Sequence, residues 1–105
     1  DRAKTLKPGV PLTPNAPQIE ELFPTTLLLS WKAPSDGGAA IVGYTIEQLL
    51  LQTGKIEQYQ VQEVTYRRMQ GLVPSHSYKF RVIAENQVGP SQAGVWTREI
   101  QTPSL

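Results

Sequence analysis

One stretch, Gly71 to Ser91, limits what the rest of this chain can be. Within it Tyr78, Phe80, Val82 and Ala84 alternate with Lys79, Arg81, Ile83 and Glu85. Such a period of two marks a strand with one face in a core and the other mostly in water. Turn chemistry frames it: Leu72-Val-Pro74-Ser-His-Ser before, Asn86-Gln-Val-Gly89-Pro90 after. Leu72, Pro74 and Tyr78 have the spacing of a tyrosine corner, in which a tyrosine early in a strand turns its hydroxyl back onto the preceding loop. The spacing predicts a buried Tyr78 whose hydroxyl meets backbone between Leu72 and Ser75.

The remaining segments read as what must pack against that strand. Pro17 to Leu22 suits an edge strand, where a residue without an N–H is tolerated. In Thr26 to Trp31 the residues Leu27, Leu29 and Trp31 share a face, and the turn-rich Ala33-Pro34-Ser-Asp36-Gly37-Gly38 ends the run. Ile41 to Leu51 places Tyr44, Ile46, Gln48 and Leu50 on one side and Thr45, Glu47, Leu49 and Leu51 on the other. Lys55 to Glu63, Val64 to Gln70 and Gly94 to Thr102 supply three further strands. Seven short strands and no helical stretch predict an all-β, antiparallel sandwich, with a closed barrel as the structural alternative. Aromatic residues make up only 8% of the chain, so Trp31, Tyr44, Tyr78 and Phe80, with Leu72 and Val82, are expected to form the bulk of the core.

Residues 1–15 show no apolar periodicity. Pro8, Pro11, Pro14 and Pro17 recur every third residue, the repeat of a polyproline II segment with one proline edge. Two readings follow: a semi-rigid linker, or a ligand for a polyproline-binding domain. The second lacks the basic residue such a ligand carries, since Thr5 and Thr13 occupy the two relevant positions. The expected division is a Pro-rich linker over 1–15, a folded module over 16–103 and a tail at 104–105.

At this point the residues resemble the fibronectin type III family. The likeness is carried by Pro17, by Leu29-Ser-Trp31, by Pro34-Ser-Asp36-Gly37-Gly38 and by Ile41-Val-Gly-Tyr44-Thr-Ile46-Glu47. It continues through Gly71-Leu72-Val-Pro74 and through Tyr78-Lys-Phe80-Arg81-Val82-Ile-Ala84-Glu-Asn86 to Gly89-Pro-Ser91. The resemblance covers residues 16–103. It implies a seven-stranded immunoglobulin-like sandwich of two sheets, A-B-E and C′-C-F-G, with Trp31 between them. The Asp-Gly-Gly loop, the Tyr-x-Ile-Glu run and the Arg-Val-x-Ala-Glu-Asn run are most similar to modules of titin, twitchin, myosin-binding protein C and obscurin; similar runs occur in neural cell-surface receptors. One departure falls in strand E, where Arg67 stands at a position usually apolar, which leaves the register there open and a bulge conceivable. The integrin-binding Arg-Gly-Asp of some members is absent, so that activity is not implied.

The chemistry of catalysis is not assembled anywhere in the sequence. His76 is the single histidine, and flanking Ser75 and Ser77 on a turn project in divergent directions with no carboxylate placed to orient the ring. Zinc needs about four Cys or His ligands, and cysteine is absent. The acidic residues lack calcium-loop spacing, and Gly54-Lys55 lacks the glycine and hydroxyl of a phosphate loop. No enzyme, no cofactor, no metal and no small-molecule substrate are therefore expected. A net charge of +1 gives no electrostatic reason to expect nucleic acid. No apolar run is long enough to span a bilayer, and no signal peptide is read.

The candidate site is a surface for protein. If Leu50 continues the inward parity of Tyr44 and Ile46, then Leu49 and Leu51 point outward, as Ile83 does from the organising strand. These three are the candidate partner face, the competing reading being that the following turn covers the leucines. The Asp36-Gly37-Gly38 and Asn86 to Ser91 loops form the alternative site. On the same outer face Glu47 is expected opposite Arg81. The implied function is a non-catalytic spacer and docking module of a large intracellular, muscle-type protein, monomeric when isolated. Its rival is an ectodomain module of an adhesion or guidance receptor. Absent cysteines and absent Asn-x-Ser/Thr sequons favour the cytoplasm.

Overall fold

The computed structural model describes residues 7–105. Residues 1–6, and with them that part of the expected linker, lie outside the described residues. Seven strands follow in chain order: β1 (Gln18–Leu22), β2 (Leu27–Ser30), β3 (Ile41–Leu50), β4 (Lys55–Val61), β5 (Tyr66–Met69), β6 (Ser77–Asn86) and β7 (Ile100–Gln101). They form two antiparallel sheets, β1-β2-β5 and β4-β3-β6-β7. This is the sandwich of the expected strand order.

Alternation decides what lies inside. Tyr78, Phe80, Val82 and Ala84 of β6 are buried, as are Tyr44 and Ile46 of β3, Leu27 and Leu29 of β2, Met69 of β5, and Trp31 and Leu72 beside them. Trp31 meets Tyr44 edge to face across the sheets, centroids 5.4 Å apart. Tyr78 and Phe80 stack along β6 at 6.1 Å. Each large side chain so buried contributes about 1.5–3 kcal/mol relative to exposure. At one end of β6 the Val73 N–H donates to the Tyr78 hydroxyl oxygen at 2.8 Å, closing the corner. The fully buried Thr102 braces the same corner: its hydroxyl donates to the Val73 carbonyl at 2.7 Å and accepts the His76 N–H at 3.1 Å.

The register of β5 is regular against β2, with Leu27 opposite Met69 and Leu29 opposite Arg67. No bulge absorbs Arg67. The side chain keeps the inward position and reaches across the open side of the sandwich instead. Its Nη1 donates to the Gln60 carbonyl at 3.1 Å, and its guanidinium lies 5.1 Å from the Tyr59 ring centroid. A long stem with a cationic tip can occupy the rim of a core where a short polar residue could not. The register shifts lie elsewhere, between Ile19 and Glu21 in β1 and between Ile41 and Gly43 in β3.

Two expectations are corrected. The last strand, read from sequence as Gly94 to Thr102, is a regular strand only at Ile100–Gln101. Ahead of it the backbone N–H groups of Ser91, Gly94 and Thr97 donate to the carbonyls of Ala84, Val82 and Phe80. Ile100 then pairs with Tyr78. Three residues therefore pass for every two of β6, and Ser91, Gly94, Thr97 and Ile100 are the buried ones. Side chains fill part of the ladder: Phe80 N–H donates to Thr97 Oγ1 at 3.1 Å and Ala84 N–H to Ser91 Oγ at 2.9 Å.

The second correction concerns the prolines. Residues 9–14 are not a free linker but a ribbon laid on the module. The Gly9 N–H donates to the Gly37 carbonyl and the Leu12 N–H to the Ser35 carbonyl, while the Pro14 carbonyl accepts from the Val95 N–H. Pro11, Pro14 and Pro17 are buried while Pro8 is exposed, so three of the four prolines on the edge seen in the sequence are the ones that dock. Rings that cannot donate face inward, the intervening Gly9 and Leu12 supply the N–H donors, and Pro14 keeps its carbonyl as an acceptor. The chain then crosses at 15–17 from the β6 side of the sandwich to pair with β2 in the other sheet.

Candidate functional site

The outer face of the four-stranded sheet is organised by register. Leu49 stands opposite Ile56 on β4 and Lys79 on β6; Glu47 stands opposite Gln58 and Arg81; Thr45 stands opposite Gln60 and Ile83. Leu49 and Ile83 are thus separated by a full polar row and lie about 14 Å apart on strand spacings. Leu51 falls beyond β3 in the turn, where its N–H donates to the Ser77 carbonyl. Each of the three is half-buried. The structure does not bring Leu49, Leu51 and Ile83 together as one apolar patch.

What occupies the middle of that face is a charged network. Glu47 is 8% exposed, and its carboxylate accepts from Arg81 Nε at 2.6 Å and from Gln58 Nε2 at 2.8 Å. The Arg81 guanidinium in turn lies 4.1 Å from the Trp96 ring centroid. Burial alone would raise the Glu47 carboxyl, but the hydrogen bonds from Gln58 and Arg81 and the Arg81 charge outweigh it, so it lies below the ordinary range. The Glu47–Arg81 pairing was expected from outward parity and the C–F neighbours that the resemblance implies, and the register bears it out; Trp96 was not expected, because it sits on the segment that abandons the period of two.

The loop end of the sandwich is built around Asn86, which is 2% exposed. Its Nδ2 lies within hydrogen-bond distance of three carbonyls, Asp36 at 2.7 Å, Gly9 at 2.8 Å and Ala39 at 3.2 Å. Its Oδ1 accepts from the N–H groups of Val88 and Gly89 at 2.9 and 3.2 Å. One amide thereby joins the N-terminal ribbon, the loop after β2 and the turn after β6. Gly37 permits the ribbon to lie close: its φ is 77°, and a Cβ there would stand 2.3 Å from the Val10 carbonyl oxygen. The loops that formed the alternative site are therefore covered in part by the chain's own residues 9–12. The signal for Asn86 was its inward parity, two beyond Ala84, which puts an amide where an apolar residue is the rule.

The remaining candidates stay apart. His76 Nδ1 lies 2.9 Å from the Pro74 carbonyl, engaged with its own turn. Among the described residues no group of three or more His, Asp or Glu side chains could hold a metal ion, and no helix is long and apolar enough to cross a membrane. Arg67 and Arg68 lie on the sheet opposite Lys79 and Arg81. Arg68 pairs with Glu21 instead.

A family model described as "Fibronectin type III domain" matches residues 12–99. Integrin beta-4 of Rattus norvegicus is 37% identical over 93 residues, covering 87% of this chain and 5% of that protein. A titin homolog of Caenorhabditis elegans is 32% identical over 83 residues, 78% of this chain and, to the nearest whole number, 0% of that protein. Netrin receptor DCC of Homo sapiens is 30% identical over 88 residues, 84% of this chain and 6% of the receptor. Among solved structures, the twitchin kinase region from C. elegans superposes with a TM-score of 0.83 at 34% identity, covering 90% of this chain and 17% of that one. The chain thus spans about 5% of the first of these relatives.

Proposed function

The chain belongs to the fibronectin type III family, and from that premise we propose that it is a non-catalytic spacer and protein-docking module of a large, muscle-type intracellular protein. The observation that carries the reading is the clamp at the loop end. A spacer must fix the direction in which the chain arrives, and a ribbon held by Asn86, Gly37 and Ser35 does so over residues 9–14. Covering these loops leaves the sheet face, with Leu49, Ile83 and the Glu47–Arg81–Trp96 row, as the surface for a protein partner. The isolated module is monomeric, takes no nucleic acid, membrane or small-molecule substrate, and works in the cytoplasm. Likeness to a titin homolog and to the twitchin kinase region supports the muscle-type setting. A second reading, a receptor ectodomain module, is favoured by the likeness to netrin receptor DCC.

The test is rotational. A small reporter domain joined directly ahead of Lys7 is expected to tumble with the module in 15N relaxation, and to tumble independently in the Asn86→Ala variant. Independent tumbling in the unaltered chain would remove the ground for the spacer reading.

A further inference from the structure

The crossing of the chain at 15–17 leaves an opening on the side of the sandwich where β1 and the final segment diverge. A groove of about 470 Å³ lies there, lined by Ala16, Pro17, Ile19, Thr97, Arg98 and Ile100. A second hollow of about 210 Å³ continues it along β1 to Leu22, sharing Ile19, Arg98 and Ile100. The floor is apolar: Ile100 is buried and Ile19 packs on the core. One wall is β1, which among the described residues pairs only with β2 and so leaves its other edge without a partner strand. An edge strand offers unpaired N–H and C=O groups along its outer side.

The charges of the groove are unequal. Glu21 is held by Arg68, and Glu20 accepts the Ser30 hydroxyl. Arg98 is exposed, lines both hollows and takes part in no ion pair among the described residues. Among the described residues it is the one charged side chain lining the larger hollow.

We propose that this groove takes an extended acidic-aliphatic segment of a partner protein, added as a further strand on the free edge of β1. Alternation dictates the sequence such a segment carries. A residue whose side chain seats on Ile19 and Ile100 is aliphatic, and its neighbour, facing outward beside Arg98, is Asp or Glu. The backbone of the segment satisfies the free edge of β1, and the carboxylate sets register by meeting the guanidinium. This surface is distinct from the sheet face and from the loop end, and it stands whether or not the module is a spacer.

The probe is an acetylated, amidated peptide Thr-Val-Asp-Val-Thr, compared with Thr-Val-Lys-Val-Thr, each titrated into the 15N-labelled chain. The Asp peptide is expected to shift the amides of Gln18–Leu22 and of 97–101 and to slow hydrogen exchange in β1. Arg98→Glu is expected to weaken the Asp peptide roughly fivefold, the scale of an exposed charge contact reversed, and to reverse the preference between the two peptides. Arg98→Gln should remove the preference without reversing it, and an unchanged melt of either variant shows that the fold is intact. Absence of shifts at millimolar peptide, shifts centred on another face, or equal binding of the two peptides by the unaltered chain overturns the proposal.

Discussion

β6 has two neighbours, and they follow different rules. On one side β3 runs against it residue for residue from Gly43 to Leu50. On the other side, residues 91–100 pass three for every two, so that hydroxyls of Ser91 and Thr97 stand in where backbone acceptors fall out of step. The first pairing is specified by alternation alone, and any β-branched or aromatic sequence of the right parity could satisfy it. The second depends on particular residues at particular places: a hydroxyl at two, and at Gly94 no side chain. It is also where the N-terminal ribbon joins the module, through the Pro14 carbonyl and the Val95 N–H. The period-two side makes the sandwich; the period-three side decides how the rest of the chain is attached to it.

The change that should break this contrast most severely is Gly94→Val. A Cβ at this position would stand 2.7 Å from both the Pro14 and the Val82 carbonyl oxygens. Both are backbone atoms, one on the ribbon and one on β6, so neither can swing aside. Separation of the ribbon from the final segment, with a loss of about 3 kcal/mol or more, is expected. Urea unfolding measures it, and hydrogen exchange should show the amides of Leu12 and Val95 opened more than those of β3. A variant with an unaltered midpoint would mean the ribbon is not seated as described.

How far the sequence anticipated these two sides follows from the same distinction. The inward residues of β2, β3 and β6 and the corner at Tyr78 rest on alternation or turn chemistry, which a sequence displays directly, whereas the order of strands in the two sheets came from the family resemblance. The proline period at 8–17 was equally visible, yet it reads the same whether the prolines face water or a groove; only the partner surface, assembled from Gly37, Asn86 and Gly94, decides. The matching period at 91, 94, 97 and 100 is hidden because Ser, Gly, Thr and Ile share no hydropathy. The outer face was legible only in part, for a different reason. Parity correctly turns Leu49 and Ile83 outward, but adjacency depends on which residues of β3 and β6 are opposite, and the Glu47–Arg81 row falls between them. Arg67 shows the limit of residue type itself, since a cation at an inward position reads as a fault in register unless its tip has somewhere to go.

A smaller effect compares the two sides by the same kind of loss. Thr97→Val keeps shape and removes the acceptor of the Phe80 N–H, a buried group. On the corner, Tyr78→Phe removes the acceptor of the Val73 N–H. Each is expected to cost about 1–3 kcal/mol. They should differ in reach: Thr97→Val should also loosen the ribbon at Val95, whereas Tyr78→Phe should leave residues 9–14 protected. Equal protection of the ribbon in both variants would show the final segment and the ribbon to be uncoupled.

The smallest expected effect belongs to the outer face, where Glu47 and Arg81 link the period-two ladder to Trp96 on the period-three side. The Glu47 carboxyl lies below its ordinary value of 4.5 because hydrogen bonds from Gln58 and Arg81, with the Arg81 charge, outweigh its burial. A carboxyl depressed by folding adds stability that is fully present above its unfolded value and is lost as pH falls through the folded one. The contribution is about 1 kcal/mol or less, since Arg81 retains contact with water. Urea midpoints of the unaltered chain and of Glu47→Gln, followed from about pH 6 to about pH 3, should converge as the acid limit is reached. The glutamine variant cannot titrate, so the gap between the curves isolates this carboxyl from every other. A gap that stays constant with pH would mean that Glu47 acts through shape and hydrogen bonding alone, and that the charge joining the two sides of β6 adds nothing to their union.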